Sequence, residues 1–334
     1  MTLAQVAAAA GVSLATASYS MRNDPRIPKS TAARVQAVAN RMGYRPNPRV
    51  SALMAHIRQA KPVTQGERIA FLWIDAIPGT RPYQPIFDGA KERAEQLGYS
   101  LEEFWRASPG LSDHRLEQIL HARGIVGVLI SPSRLSDPKF KIEWNWNLFS
   151  PVVIGTAESE PELHHSAHHH YGGMRLAMLS LQALGKRRII GLLDKRIEER
   201  ARRPWSAAFL AHHPMTERAW KFLDQEDPEV IGDLAIRIRR RKPDAIVGLW
   251  SILEVLLSQG WSPPRGTLVI LLDWVPNSRG FGGIDQCAPV IAMNAVDLVA
   301  GQLQRNERGS PKDVKMLLST GRWVAGQQDA LISE

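Results

Sequence analysis

Residues 2–48 read TLAQVAAAAGVSLATASYSMRNDPRIPKSTAARVQAVANRMGYRPNP. Thr2 is a good helix N-cap, and the run after it is rich in helix formers. Leu3, Val6, Ala7 and Ala10 fall at the i, i+3, i+4, i+7 spacing of a short amphipathic helix. Gly11 ends it, because glycine accepts the left-handed backbone that closes a helix. Ser13 is placed to cap a second helix over LATASYSM, and the order helix, Gly, x, Ser, helix is that of a helix-turn-helix. The exposed face of that second helix carries Thr16, Ser18, Tyr19 and Arg22. Short hydroxyl side chains let a helix enter a major groove closely while bonding phosphates or base edges. A third helix follows, with Ser30 as its cap, Val35, Val38, Ala39 and Met42 on one side, and Gly43 after it. RVSALMAHIRQ, after Pro48, is a further short helix candidate. AKPVTQGER reads as a linker.

The charge supports this division. The chain has 334 residues and a net charge of +9. Residues 1–61 hold nine Lys or Arg against one acid, Asp24, so the excess sits almost wholly in this segment. A small basic module on a near-neutral body points to a polyanion partner at one end. One cysteine, Cys287, excludes an intramolecular disulfide framework and a Cys-rich zinc site. The opening MTLAQVAAAAGVS has no basic run or long apolar stretch, and no segment of eighteen or more apolar residues occurs elsewhere. A cytoplasmic, nucleoid-associated protein without a membrane partner is expected.

From Arg68 onward short apolar runs alternate with helical patterns. RIAFLWID, SLEEFW, IVGVLISPS, PVVIGT, KRRIIGLLD, DAIVGLW and TLVILLD read as strands. PIFDGAKERAEQLGY, SDHRLEQILHARG, GGMRLAMLSLQALG, PEVIGDLAIRIRRRK and ILEVLLSQGW read as helices. Continuous apolar strands alternating with helices indicate doubly wound parallel sheets, and the length fits two lobes.

The first segment resembles the headpiece of the lactose-repressor (LacI/GalR) family. The residues that carry the match are Val6-Ala7, Ala10-Gly11-Val12-Ser13, Thr16, Ser18, Asn23, Ile27, Val35, Ala39 and Gly43-Tyr44-x-Pro46-Asn47. The remainder is similar to that family's effector domain, through Asp88-Gly89-Ala90, Gly172-Gly173, Leu184-Gly185-Lys186-Arg187-Arg188-Ile189 and Pro243-Asp244-Ala245-Ile246. The resemblance implies an all-α helix-turn-helix headpiece over 1–46 and a hinge helix and linker over 47–66. It also implies a periplasmic-binding-protein-like α/β domain over 67–334. That domain is expected as one lobe of about 67–159 with 290–320, and a second of about 160–289 with 321–334. The chain would pass between them near 157–163, 285–290 and 319–323.

The expected function is that of a homodimeric transcription regulator, a repressor on a two-fold double-stranded operator, controlled by a small-molecule effector, with a carbohydrate among the candidates. No cofactor, metal or catalytic residue is expected. Leu14, Ala15 and Thr16 would touch bases. Ser13, Ser18, Tyr19, Arg22, Asn23, Arg26 and Asn47 complete the DNA contacts, and Leu53 with Met54 would wedge the minor groove from the hinge. Tyr19 stands where the family usually has Arg.

Ligands in this fold sit at the carboxyl ends of the strands. The residues placed there are Asp75, Tyr83, Phe87, Ser131, Arg203, Trp250, Ser251, Asp273, Trp274 and Gln286. Two departures affect this site: Trp250-Ser251 replaces a common acid, and His168-His169 replaces a common Asp-Asn. A regulator that has lost its effector, and a small-molecule binding protein with an accessory headpiece, stay open as alternatives. The histidine run 164–170 is read as solvated or pocket-lining rather than metal-binding, because adjacent residues rarely converge on one ion. Walker, nucleophile-elbow, dinucleotide-binding and His-Glu-x-x-His motifs are absent.

Leu14 and Ala15 are apolar and can read thymine methyls but cannot bond guanine edges. Replacing both and repeating an operator selection is expected to change the preferred site. An unchanged preference would remove them from base readout.

Overall fold

The computed structural model describes residues 3–21, 24–44, 67–133, 139–227, 232–276 and 278–327. The hinge segment and its expected DNA contacts Asn47, Leu53 and Met54 lie outside these, as do Arg22 and Asn23.

The headpiece is three helices: α1 (Leu3–Ala9), α2 (Leu14–Met21) and α3 (Lys29–Arg41). Gly11 turns the chain between the first two at φ +64°. Ser13 then caps α2, its Oγ accepting the Thr16 N–H at 3.0 Å. Val6, Ala7, Ala10, Ala17, Val35, Val38 and Ala39 form the buried core, small residues that bring the helices close together. Gln36 ties α3 to α2 by donating to the Ser20 carbonyl at 2.9 Å. The cap expected at Ser30 is absent: α3 starts at Lys29, and its N-cap residue is Pro28, which makes no side-chain cap bond. Pro28 supplies a pre-set backbone angle instead.

The large domain holds two six-stranded sheets. The strands and helices of its first half are β1 (Arg68–Trp73), α4 (Gln84–Gln96), β2 (Ser100–Trp105), α5 (Asp113–Ala122), β3 (Gly127–Ile130), β4 (Lys139–Lys141), β5 (Ser150–Ile154), β6 (Glu158–Glu160) and β7 (His164–His168). Those of the second half are α6 (His170–Ala183), β8 (Ile189–Asp194), α7 (Lys195–Arg200), α8 (Pro204–His212), β9 (Leu223–Glu226), α9 (Leu234–Arg241), β10 (Ala245–Gly248), α10 (Trp250–Ser258), β11 (Leu268–Trp274) and β12 (Gly282–Asp285). The chain then returns through α11 (Ala288–Arg305), β13 (Met316–Ser319) and β14 (Arg322–Val324).

The first sheet has the order β13-β7-β5-β3-β1-β2, and all its pairs are parallel. The second has the order β14-β12-β11-β10-β8-β9 and is parallel except for the edge strand β14. Both faces of each sheet are covered, which is why β1, β3, β5, β8 and β10 are buried almost throughout. Strands β4 and β6 make a separate parallel ribbon.

The lobe boundary differs from the expectation at one place. The histidine run is not solvated: His164 to His168 form the buried strand β7, paired with β5 and β13 of the first sheet. The first passage therefore falls after His168, not at 157–163. His164 and His165 are accommodated by polar partners: His164 Nδ1 accepts the Lys315 N–H, and His165 Nδ1 lies against the Gly155 carbonyl, both at 3.0 Å. The other two passages lie at 286–287 and 320–321.

Helix α11 leaves the second sheet and buries Ile291, Ala292, Ala295, Val296 and Val299 against the first. Its neighbour is α4, and the two meet so closely that a Cβ at Gly89 would lie 2.6 Å from both the Cα and the carbonyl oxygen of Pro289. Backbone cannot yield as a side-chain tip can. Gly89→Ala is expected to lower stability by about 1–3 kcal/mol, read as a fall in thermal midpoint, from overpacking alone.

Candidate nucleic-acid interface and effector cleft

The outer face of α2 is open to solvent at Leu14. Leu14 is 53% exposed, a large apolar side chain with nothing to bury it within the headpiece. Ser13 and Thr16 hydroxyls lie 2.9 Å apart beside it, and Ser18 is half-buried. Ala15 is on the same helix. Tyr19 is half-buried, with the Arg26 guanidinium 4.3 Å over its ring. Arg26 is in turn held by Asp24 through two bonds, at 2.9 and 2.7 Å. Tyr19 and Arg26 are thus one braced unit rather than two free side chains.

In the second lobe, acids that end strands organise the sites around them. Asp194, the last residue of β8, is buried; one oxygen accepts the Arg196 and Ile197 N–H groups at 3.0 and 3.3 Å, capping α7. Its other oxygen accepts the Ser251 hydroxyl at 3.0 Å. Asp273, near the end of β11, accepts the Trp250 N–H at 2.9 Å, the first N–H of α10. Burial pushes the Asp273 carboxyl up to about 6, against the pull of its backbone bond to Trp250 and assisted by nearby Asp194. The Arg279 guanidinium lies 5.9 Å over the Trp250 ring.

Asp194, Trp250, Ser251 and Asp273 therefore form one connected group. Asp194 was not among the expected residues, although an acid directly after an apolar strand is the same signal that marked Asp273. Trp274 donates its indole N–H to the Phe281 carbonyl at 2.9 Å and packs on the core, and Gln286 donates to Leu272 at 2.9 Å.

In the first lobe, Asp75 receives the Ser133 hydroxyl at 3.2 Å, and Tyr83 precedes α4 half-buried. Two expected ligand residues offer little surface. Phe87 is buried in an aromatic cluster with Phe71 and Trp73, at 5.3 and 6.0 Å between ring centroids. Ser131 is buried, and its hydroxyl accepts the Ile74 N–H at 3.2 Å.

The segment after α7 joins the lobes. Arg202 and Arg203 both take the left-handed backbone, at φ +64° and +59°, a conformation costing roughly 1–2 kcal/mol per non-glycine residue. Buried Glu198 fixes the turn by accepting the Trp205 N–H at 3.1 Å together with the Ser206 N–H and hydroxyl. Arg202 then reaches Glu158 of β6, in the other lobe, at 2.8 Å, while Arg203 lies 3.4 Å from Glu199. A hollow of 330 Å³ lies elsewhere, at the second and third passages, among Cys287, Val290, Asn294, Ser319 and Arg322. Among the described residues no three His, Cys, Asp or Glu side chains converge as metal ligands, and no helix is long and apolar enough to cross a membrane.

Residues 2–47 match the family model described as bacterial regulatory proteins, lacI family. The match is confined to the N-terminal module. Solved structures share the fold beyond this module. The transcriptional regulator CelR in complex with cellobiose is similar at 18% identity and a TM-score of 0.55, over 98% of this chain and 99% of that one. The lac repressor dimer bound to operator and the anti-inducer ONPF is similar at 16% identity and 0.51, over 98% of each chain. A periplasmic binding protein/LacI transcriptional regulator from Alkaliphilus metalliredigens QYMF, complexed with D-xylulofuranose, is similar at 15% identity and 0.53, over 77% of this chain and 97% of that one. No curated protein sequence matches the chain.

The carboxyl of Asp273 gives a pH signature. Between its ordinary value of 3.8 and about 6 the native group holds a proton that the unfolded one has lost, so this residue weakens the native state as pH rises through that interval. Asp273→Asn removes the effect. The thermal midpoint of the variant, relative to the unaltered protein, is expected to rise between pH 4 and pH 7; a constant difference contradicts the assignment.

Proposed function

We propose that this protein is a sequence-specific transcription regulator, a homodimeric repressor whose grip on a two-fold operator is set by a small polar effector held between the lobes. The observation that carries the reading is the exposed face of α2, with Leu14 outermost and the Ser13 and Thr16 hydroxyls beside it, on a lacI-family headpiece. Leu14, Ala15 and Thr16 read bases; Ser13, Ser18, Tyr19 and Arg26, with Arg22, Asn23 and Asn47, set the backbone register. Leu53 and Met54 enter the minor groove. The basic charge concentrated in residues 1–61 makes affinity steeply salt-dependent, as counterions leave the phosphates.

The effector is a polyhydroxylated molecule or a small carbohydrate. Trp250 offers a ring face, and Asp273 with Asp194 and Ser251 offers bonded polar groups at the strand ends. Arg203, Tyr83, Asp75 and Gln286 complete the set. The two complexes with cellobiose and D-xylulofuranose, on the same fold, support a sugar class. Nothing here requires bond-making: the groups cap helices and brace strands, an arrangement for holding a ligand.

Operator selection from random duplexes, followed by gel shift at rising salt, tests the DNA-binding part. Recovery of a two-fold motif with affinity falling steeply in salt is expected; recovery of no motif overturns it. A thermal-shift screen of sugars tests the effector part. Against any sugar that raises the midpoint, Arg203→Ala is expected to weaken binding about tenfold to a hundredfold, the loss of a charged hydrogen bond. Unchanged binding removes Arg203 from the site.

A further inference from the structure

His168 ends β7, so its backbone belongs to the first sheet, but its ring lies among atoms of the second lobe. A Cβ on Gly173 of α6 would sit 2.7 Å from its Nε2, and one on Gly321 in the third passage 2.9 Å from its Cε1. Ile284 of β12 closes the same space. His168 is 3% exposed, and among the described residues neither ring nitrogen has a hydrogen-bond partner. His170 begins α6; its ring centroid is 5.1 Å from that of His168 and 4.1 Å from Trp205. Its Nδ1, and the indole nitrogen of Trp205, are likewise buried without partners. Three touching side chains thus hold four unpartnered polar nitrogens where the lobes join.

A buried neutral imidazole without a partner is costly, and a buried charged one much more so. The neighbouring charges do little to change this. Asp285 of β12 and the backbone of Ser319 favour a proton on His168, while His169 opposes it. Around His170 the influences are His168, His169 and Arg200 of α7, all opposing. Burial is the largest effect on both, holding His168 down at about 4 and His170 at about 3, against an ordinary 6.5.

We propose that His168 and His170 make the junction between the lobes proton-responsive, the observed lobe packing holding only while both rings are neutral. Acid then shifts the chain to an arrangement in which these rings are hydrated. The sign follows from linkage: the packed arrangement binds fewer protons, so its advantage is complete above pH 6.5 and is lost as pH falls below it. Each imidazole shifts the ratio of arrangements by up to about tenfold per pH unit, and two by up to about a hundredfold. Because His168 contacts α6, β12 and the third passage at once, a change there reaches both lobes. The inference rests on the two-lobed fold and needs neither the operator nor the effector.

The test is amide hydrogen exchange on the purified full-length protein from pH 7.5 to 5.0, corrected for intrinsic rates, with far-UV circular dichroism and small-angle scattering in parallel. Exchange in 164–173 and 319–324 is expected to rise at least tenfold, with a larger scattering radius and an unchanged dichroism spectrum. His168→Asn/His170→Asn is expected to abolish the rise, and His121→Asn, on the exposed side of α5, to keep it. A flat response in the unaltered protein, a retained rise in the double variant, or a simultaneous loss of helix signal overturns the proposal. Should the double variant not fold, His170→Asn alone is expected to reduce the proton number of the transition from two to one, and an unchanged number is equally fatal.

Discussion

The parallel pairing of the strands constrains everything else in the large domain. A parallel sheet needs a covering helix for each return, and both of its faces must be dry. The first sheet cannot meet that need from its own stretch of chain. It borrows α11, which arrives from the second lobe and lays Ile291, Ala295, Val296 and Val299 on β3, β5 and β7. The lobes are separate in their cores but not in their chain, and the close approach of Gly89 to Pro289 shows how tightly that borrowed helix is seated.

The same geometry gathers polar groups at the strand ends. Acids that follow apolar strands would be unsatisfied if they only faced solvent-free ends. Here Asp194 caps α7 and holds Ser251, and Asp273 holds the first N–H of α10. These polar groups are consequently held in place by the fold itself, as the preorganisation of the proposed effector site requires. The left-handed pair Arg202-Arg203 is held by Glu198 in the same manner, and one of the two arginines bridges to the opposite lobe.

The headpiece follows a different logic. Its core is alanine and valine, too small to give much stability by burial, but small enough to let three short helices touch. That leaves Leu14 outside, exposed to solvent. The brace between Asp24, Arg26 and Tyr19 fixes the exit of α2.

Local signals in the chain were sufficient for the headpiece and for the alternation of strand and helix. Glycine at 11, serine at 13 and the 3.6-residue spacing of Val6, Ala7 and Ala10 act within one or two turns, so neighbours in sequence are the neighbours that matter. The apolar runs ending in Asp194 and Asp273 were legible for the same reason. The histidine run was not: nothing local distinguishes His164 to His168 from a solvated loop. These residues become a strand because β5 and β13 lie on either side, and β13 comes from some 150 residues later. Where the lobes divide, which arginine crosses between them, and why Phe87 and Ser131 turn inward were decided by the tertiary structure alone, since each depends on contacts that exist only after distant segments have been brought together.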